Sequence, residues 1–326
     1  MTNNEMRSLH STPTSASAKR GMPIAEIGAS VMYWLAAHSY FLPGLYLQRY
    51  STLFGLSLAA KRRSNVPKPL LQRLLRGTLE STNYFEFDFA WKALTSLKPN
   101  GKNYLDVLSP WLLPFLFVQR RRIPKATIVN ANTLTMQVLQ GLSDAAGLGS
   151  KWEIIDRALD DCSLPQGSFD VITSISGPAQ VANDSALVAT MWTLLKCGGR
   201  LIISVPCICE AMEEPVSQDG NREVGTEPLL ARPRVYDPQL LQDRILSVLG
   251  EPNSIVVYGE IARHDSRQAK RVAAGPGFPP PREPLEMARD WRCYSRIQDL
   301  PGLGVSAMTF DKAFRPKATA GAEHEQ

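Results

Sequence analysis

Residues 163–207 read SLPQGSFDVITSISGPAQVANDSALVATMWTLLKCGGRLIISVPC, and the order of elements in this stretch decides the fold. A polar turn leads into the β-branched apolar run Phe169–Ser174. A helical-period segment follows and ends at Leu194-Leu195-Lys196-Cys197-Gly198-Gly199, after which Arg200–Val205 reads as the next strand. The glycine pair suits a helix end that runs into a tight turn, where positive backbone angles are needed and glycine takes them cheaply.

Working outward, the same rhythm holds from Gly101 onward. Short apolar runs at Tyr104–Leu108, Thr127–Val129, Glu153–Ile155, Ser254–Tyr258 and Val305–Phe310 are separated mostly by stretches of helical period. Alternation of this kind signals an α/β sheet, mostly parallel, with helices on both faces. Residues 275–284, GPGFPPPREP, read as a proline-rich loop before a last helix and strand.

Toward the N-terminus the pattern changes. Residues 1–22 include a Ser/Thr-rich stretch with no long apolar run and read as a disordered tail, as do residues 312–326 at the other end. Residues 23–80 read as a helical extension: the apolar stretches Ala25–Tyr40 and Leu45–Ala60 divide at Pro43-Gly44, and Lys61-Arg62-Arg63 follows them. His38, Pro43, Gln48 and Arg49 interrupt this region before any run reaches membrane-spanning length. Two readings stay open for 23–63: a cap packed on the main domain, or a peripheral membrane contact through an apolar face and the basic cluster.

Composition narrows the function classes. With 326 residues and 44% apolar content the chain buries a sizeable core. The net charge of +5 is concentrated in residues 1–80, where ten Lys/Arg face only Glu5, Glu26 and Glu80. Five scattered cysteines and four histidines make neither a disulfide framework nor a zinc pattern, and a reducing cytoplasm is the expected location. Arg120-Arg121-Arg122 falls at an expected helix C-terminus, where cations favour the dipole, and no stacking-aromatic motif accompanies it; nucleic acid is not the expected partner.

The segments LPQGSFD and LLKCGGRLIISVP resemble the corresponding blocks of class I S-adenosylmethionine-dependent methyltransferases of the type 11 kind. The likeness extends over residues 81–311, from the lead-in NYFEFDFAWKAL at 83–94 to the closing DLPGLGVSAMTF at 299–310. It implies a Rossmann-like methyltransferase fold, with a mostly parallel seven-stranded sheet whose last strand is antiparallel. It also implies S-adenosylmethionine as cofactor and a small-molecule substrate.

The same resemblance assigns site residues. Asp106 stands at the acidic position after which the family runs G-x-G-x-G, but here Leu108, Ser109, Pro110 and Trp111 replace the glycines. Ser109 is small enough to keep part of the path open, with a hydroxyl for the cofactor's carboxylate or amine. Asn130, with Asn132 two residues on, stands where the family carries a ribose-binding carboxylate, and Asp160 or Asp161 where it carries an adenine contact. Ser174 closes the expected cofactor set. The loop Ser174–Gln180 replaces a frequent Glu-His pair, and Gln180 cannot act as a base. Gln180, Glu210, Tyr236 and Asp237 are the expected acceptor-side residues. The competing expectation is a methyltransferase-fold protein without catalysis, serving binding or assembly with a protein partner.

Overall fold

The structure is a computed structural model and describes residues 43–60, parts of 71–79, 82–97, 102–121, 123, 125–130, 133–149, 151–210, 233–261 and 284–313. Eight strands form one sheet: β1 Asn103–Val107, β2 Lys125–Val129, β3 Trp152–Ile155, β4 Phe169–Ile175, β5 Leu195–Cys207, β6 Ser254–Glu260, β7 Trp291–Tyr294 and β8 Gly304–Asp311. Their spatial order is β3-β2-β1-β4-β5-β8-β6-β7. Strands β1 to β5 are mutually parallel, and β8 runs antiparallel to both β5 and β6. This is the Rossmann-like methyltransferase fold implied by the resemblance, with all seven expected strands in place and the last one antiparallel. It carries one strand more than expected. The run Trp291-Arg-Cys-Tyr294 is short and polar enough to escape a periodicity reading, and it pairs with β6 at the sheet edge.

Side-chain alternation along the strands sends neighbouring residues to opposite faces. On β1, Tyr104 joins one apolar cluster while Leu105 and Val107 join the other. The first cluster is covered by α1 Leu45–Ala60, α2 Asn83–Ser96, α3 Leu112–Arg121 and α4 Thr133–Ala146. The second is covered by α5 Asp184–Leu194 and the helical run α6, 238–249, which contains a π-helical turn at Gln242–Leu246. The helix ends at Leu194 and β5 begins at once, so the glycine pair lies in the irregular start of β5 rather than in a turn between helix and strand: Gly198 has φ 76°, its N–H donates to Lys312 O at 2.6 Å, and Lys312 N–H returns to Gly199 O at 2.9 Å.

Helix α1 reproduces the second apolar stretch of the N-terminal extension. Leu45, Leu47 and Leu58 are buried in the first cluster, the Tyr84 hydroxyl donates to Gln48 Oε1 at 2.9 Å, and the Tyr50 hydroxyl donates to Gln119 Oε1. Its buried face packs on α2 and α3, while Leu56 stays exposed. Among the described residues no helix is long and apolar enough to cross a membrane. The first stretch, Ala25–Tyr40, the basic cluster 61–63, the expected tail 1–22 and residues 314–326 of the expected tail 312–326 lie outside the described residues; contrary to that expectation Lys312 is fixed, its Nζ donating to Trp192 O and Leu195 O.

Candidate functional site

Strands β1 and β4 are neighbours, yet the chain leaves β1 toward β2 and leaves β4 toward β5, so the order reverses between them. In open α/β sheets such a point opens a crevice at the carboxyl ends of the strands. The loops after β1 and β4 line it here, and each holds a strained residue. Among the described residues Leu108 (φ 59°) and Ser176 (φ 54°) are the only non-glycine positions in the left-handed region. Leu108 thus keeps the backbone turn that a glycine would make, while its side chain is buried in the second apolar cluster.

Asp106 lies beneath this turn and is fully buried. Its Oδ2 accepts from the Thr173 hydroxyl at 2.5 Å and the Tyr104 hydroxyl at 3.1 Å, and Oδ1 accepts from Ser109 N at 3.3 Å. Burial pushes its carboxyl up to about 6 from an ordinary 3.8, against the opposing pull of these hydrogen bonds. Burial, and the neighbouring Asp106, also push the Tyr104 phenol well above its usual range. Ser109 is buried and its Oγ accepts from Ile175 N at 3.0 Å, while the buried Ser174 hydroxyl donates to Val107 O at 2.8 Å. Gln180 Nε2 donates to Leu108 O at 3.3 Å and to Ser176 O at 3.1 Å, tying the two loops together.

On the far side of β1, Asn130 is buried at the end of β2 and its N–H donates to Ile155 O at 3.1 Å. Asn132 lies outside the described residues. Asp160 and Asp161 are exposed in the turn Leu159–Asp161, where Asp160 Oδ1 accepts from the Thr190 hydroxyl of α5 at 2.8 Å.

The expected acceptor-side residues separate. Glu210 is exposed beyond β5. The buried Tyr236 hydroxyl donates to Asp184 Oδ2 at 2.5 Å, and Asp237 caps α6 by accepting from Gln239 N at 2.8 Å and Leu240 N at 2.9 Å. Asp184 is itself fully buried and pairs with Arg234 at 2.9 Å, whose guanidinium also donates to Val181 O and Ala182 O, each at 3.2 Å. Gln180 alone of these four stands between the two crevice loops.

Sequence reading missed the carboxylate nearest the β4 tip. Glu86, in the first turn of α2, is fully buried, and its Oε1 accepts from the Ser176 hydroxyl at 2.6 Å and the Ser204 hydroxyl at 2.7 Å. Ser176 N–H in turn donates to Ser204 Oγ at 3.1 Å and Ser204 O at 3.0 Å. The signal was present in NYFEFDFAWKAL: acidic residues placed between aromatics on a helix that must bury one face. Cys207, three residues beyond Ser204 at the end of β5, has its thiol pushed far up by burial and by the nearby Glu86. The described residues contain no His/Cys/Asp/Glu grouping fit for a metal ion.

No family model and no curated protein matches the chain. Among solved structures it is similar to a protein assigned as a sarcosine dimethylglycine methyltransferase of Galdieria sulphuraria (14% identity, TM-score 0.46, 81% of this chain and 98% of that one). It is also similar to the 4+2 cyclase SpnF (12%, TM-score 0.46, 83% and 98%). A third is the geranyl diphosphate C-methyltransferase of Streptomyces coelicolor A3(2) (12%, TM-score 0.43, 79% and 86%). The activities within this group differ, and the likeness is one of fold.

Proposed function

We propose that the chain is an S-adenosylmethionine-dependent methyltransferase acting on a small molecule, with a cofactor site narrowed at its methionine end. The observation that carries this reading is the pair of left-handed residues, Leu108 and Ser176, bracketing the crevice at the switch point. Each conformation costs roughly 1–2 kcal/mol for a residue with a side chain. Such strain persists where function keeps a backbone shape, and the left-handed Leu108 stands where the family's cofactor loop has its glycines.

The residues fit the cofactor unevenly. Asn130 would meet the ribose hydroxyls, and Asp160 the adenine amino group. Ser109 would lie along the methionine moiety, its hydroxyl hydrogen still available because the bond from Ile175 N occupies only a lone pair. The methionine end is tight: a side chain replaces bare backbone at 108, and an amide at 130 binds the ribose more weakly than a carboxylate by about 1–2 kcal/mol. Bound there, the sulfonium supplies an activated methyl group. The protein's own part is to position donor and acceptor, which for an in-line displacement provides most of the catalysis.

Calorimetric titration with S-adenosylmethionine and S-adenosylhomocysteine tests the reading. The double variant Ser109→Gly with Asn130→Asp should bind about 1–3 kcal/mol more tightly than the parent. If neither folded protein binds at millimolar ligand, the methyltransferase reading is wrong.

One observation favours a second reading, a methyltransferase-fold protein that binds or assembles without catalysis. The loops after β1 and β4 are packed hard together: a Cβ at Gly177 would stand 2.2 Å from Ser174 Oγ and 2.9 Å from Val107 O. Under that reading a protein partner takes the role of the substrate. A reducing cytoplasm, in keeping with five free cysteines, is the proposed location for both.

A further inference from the structure

The Glu86 cluster brings to the β4 loop a carboxylate that no residue of that loop supplies. A carboxylate only accepts hydrogen bonds, so the hydroxyl hydrogens of Ser176 and Ser204 both point at Glu86 Oε1. The two serines differ in what remains. Ser204 Oγ already receives Ser176 N–H, whereas Ser176 Oγ, in the turn after β4, accepts no hydrogen bond among the described residues. The arrangement is rigidly held. Phe85, next to Glu86, stacks on Tyr258 at 4.7 Å and on Trp291 at 5.2 Å, pinning the start of α2 to β6 and β7. Cys207 does not compete as a base, since burial and Glu86 keep its thiol protonated.

Resting on the methyltransferase reading, we propose that Ser176 contacts the methyl acceptor and forms with Glu86 a two-residue proton relay, selecting an acceptor whose reacting atom is a hydroxyl oxygen or an amine nitrogen bearing hydrogen. A hydroxyl, or an amine in its ammonium form, that donates to Ser176 Oγ passes its proton there while Ser176 hands its own to Glu86 Oε1. One proton moves from ligand to carboxylate, the serine ends as it began, and the lone pair left on the ligand atom is the nucleophile. Glu86 acts through Ser176 and is a positioning and proton-holding residue; Ser176 is the group that touches the ligand.

The test uses the full chain saturated with S-adenosylhomocysteine and saturation-transfer NMR. The probes are a matched panel of small alcohols and amines, each beside its O-methylated or fully N-methylated counterpart. Hydrogen-bearing members should bind about tenfold more tightly than their methylated partners. Ser176→Gly, free of backbone strain at a positive φ, should erase that preference, while Glu86→Gln, whose amide oxygen still accepts the Ser176 hydroxyl, should keep it and leave S-adenosylhomocysteine affinity within about threefold. Ser204→Ala should keep the preference, because its lone pair faces the protein. With a panel member that is methylated, Glu86→Gln should lower kcat by about 10²–10⁴-fold with little change in KM. The relay is overturned if methylated members bind equally, if the preference survives Ser176→Gly, or if no panel member binds while S-adenosylhomocysteine does. Failure of the parent protein to bind S-adenosylhomocysteine instead removes the methyltransferase reading, and the relay with it.

Discussion

Two buried polar regions lie about the carboxyl edge of this sheet, and they use their atoms in opposite ways. Around Asp184, the guanidinium of Arg234, the phenol of Tyr236 and the Ser185 N–H converge on one carboxylate, and Arg234 also satisfies the carbonyls of residues 179, 181 and 182 through its backbone and side chain. No strained residue is involved, and the result is a latch holding 233–237 against α5. In the crevice between β1 and β4, by contrast, the backbone is strained at Leu108 and Ser176, and serine hydroxyls surround Glu86. The latch contributes stability. The crevice costs it, which is the pattern expected where a shape is kept for binding.

The sharpest way to break this contrast is Arg234→Ala. Removing Arg234 takes the nearer cation from buried Asp184 and leaves it the Arg244 contact at 3.5 Å, so unfolding in urea should show a loss of about 2–3 kcal/mol. A loss under about 1 kcal/mol would mean that Asp184 is not held as a latch.

Asp106, under the crevice turn, provides an effect of similar size. Its carboxyl is raised to about 6 from 3.8, so the native state holds this proton more tightly than the unfolded chain does. The contribution is fully present below the unfolded value and is lost as pH rises through the folded one; the raised carboxyl corresponds to about 3 kcal/mol. Denaturation at about pH 4 and about pH 7 should therefore show that Asp106→Asn shifts the stability difference between the two conditions by roughly that amount. An unchanged difference would place Asp106 among ordinary ionised carboxylates.

Leu108→Gly separates strain from packing. The buried side chain contributes more than its left-handed backbone costs, so the variant should lose about 1–3 kcal/mol of stability. The same change bares the backbone and should tighten S-adenosylhomocysteine binding, measured on the same sample. A variant that is both more stable and no better at binding would show that the turn is a mere packing fault.

Gln180→Ala is the smallest change. It cuts the two bonds that tie Leu108 O to Ser176 O, and because Gln180 is half-buried the cost should be about 0.5–1.5 kcal/mol. Hydrogen exchange localised to residues 108–112 and 176–181 would report the loosening. Protection unchanged in both loops would show that the amide does not join them.

The fold was legible in the sequence because its cause is local. The seven apolar runs from Tyr104 to Phe310 alternate with helical-period stretches, and each run became a strand at or near the expected residues. Gly198 takes the positive φ that the reading required, although the glycine pair lies in the irregular start of β5 rather than between helix and strand. The eighth strand escaped because Trp291–Tyr294 is an edge strand whose exposed residues carry no periodic signal and whose pairing depends on β6.

The site was legible only in part. Asp106 and Ser109 could be placed on the approach to the crevice from the order of residues, but where their polar atoms point could not: that depends on Thr173 and Ile175, more than sixty positions away. Glu86 meets Ser176 across 90 residues and Ser204 across 118, and Asp184 meets Tyr236 across 52. Local chain statistics set where strands and helices form, since backbone angles and side-chain alternation are properties of neighbours. Which buried carboxylate receives a guanidinium and which receives serine hydroxyls was decided only when distant strands came together. Burial and hydrogen-bond direction exist only in that packed arrangement.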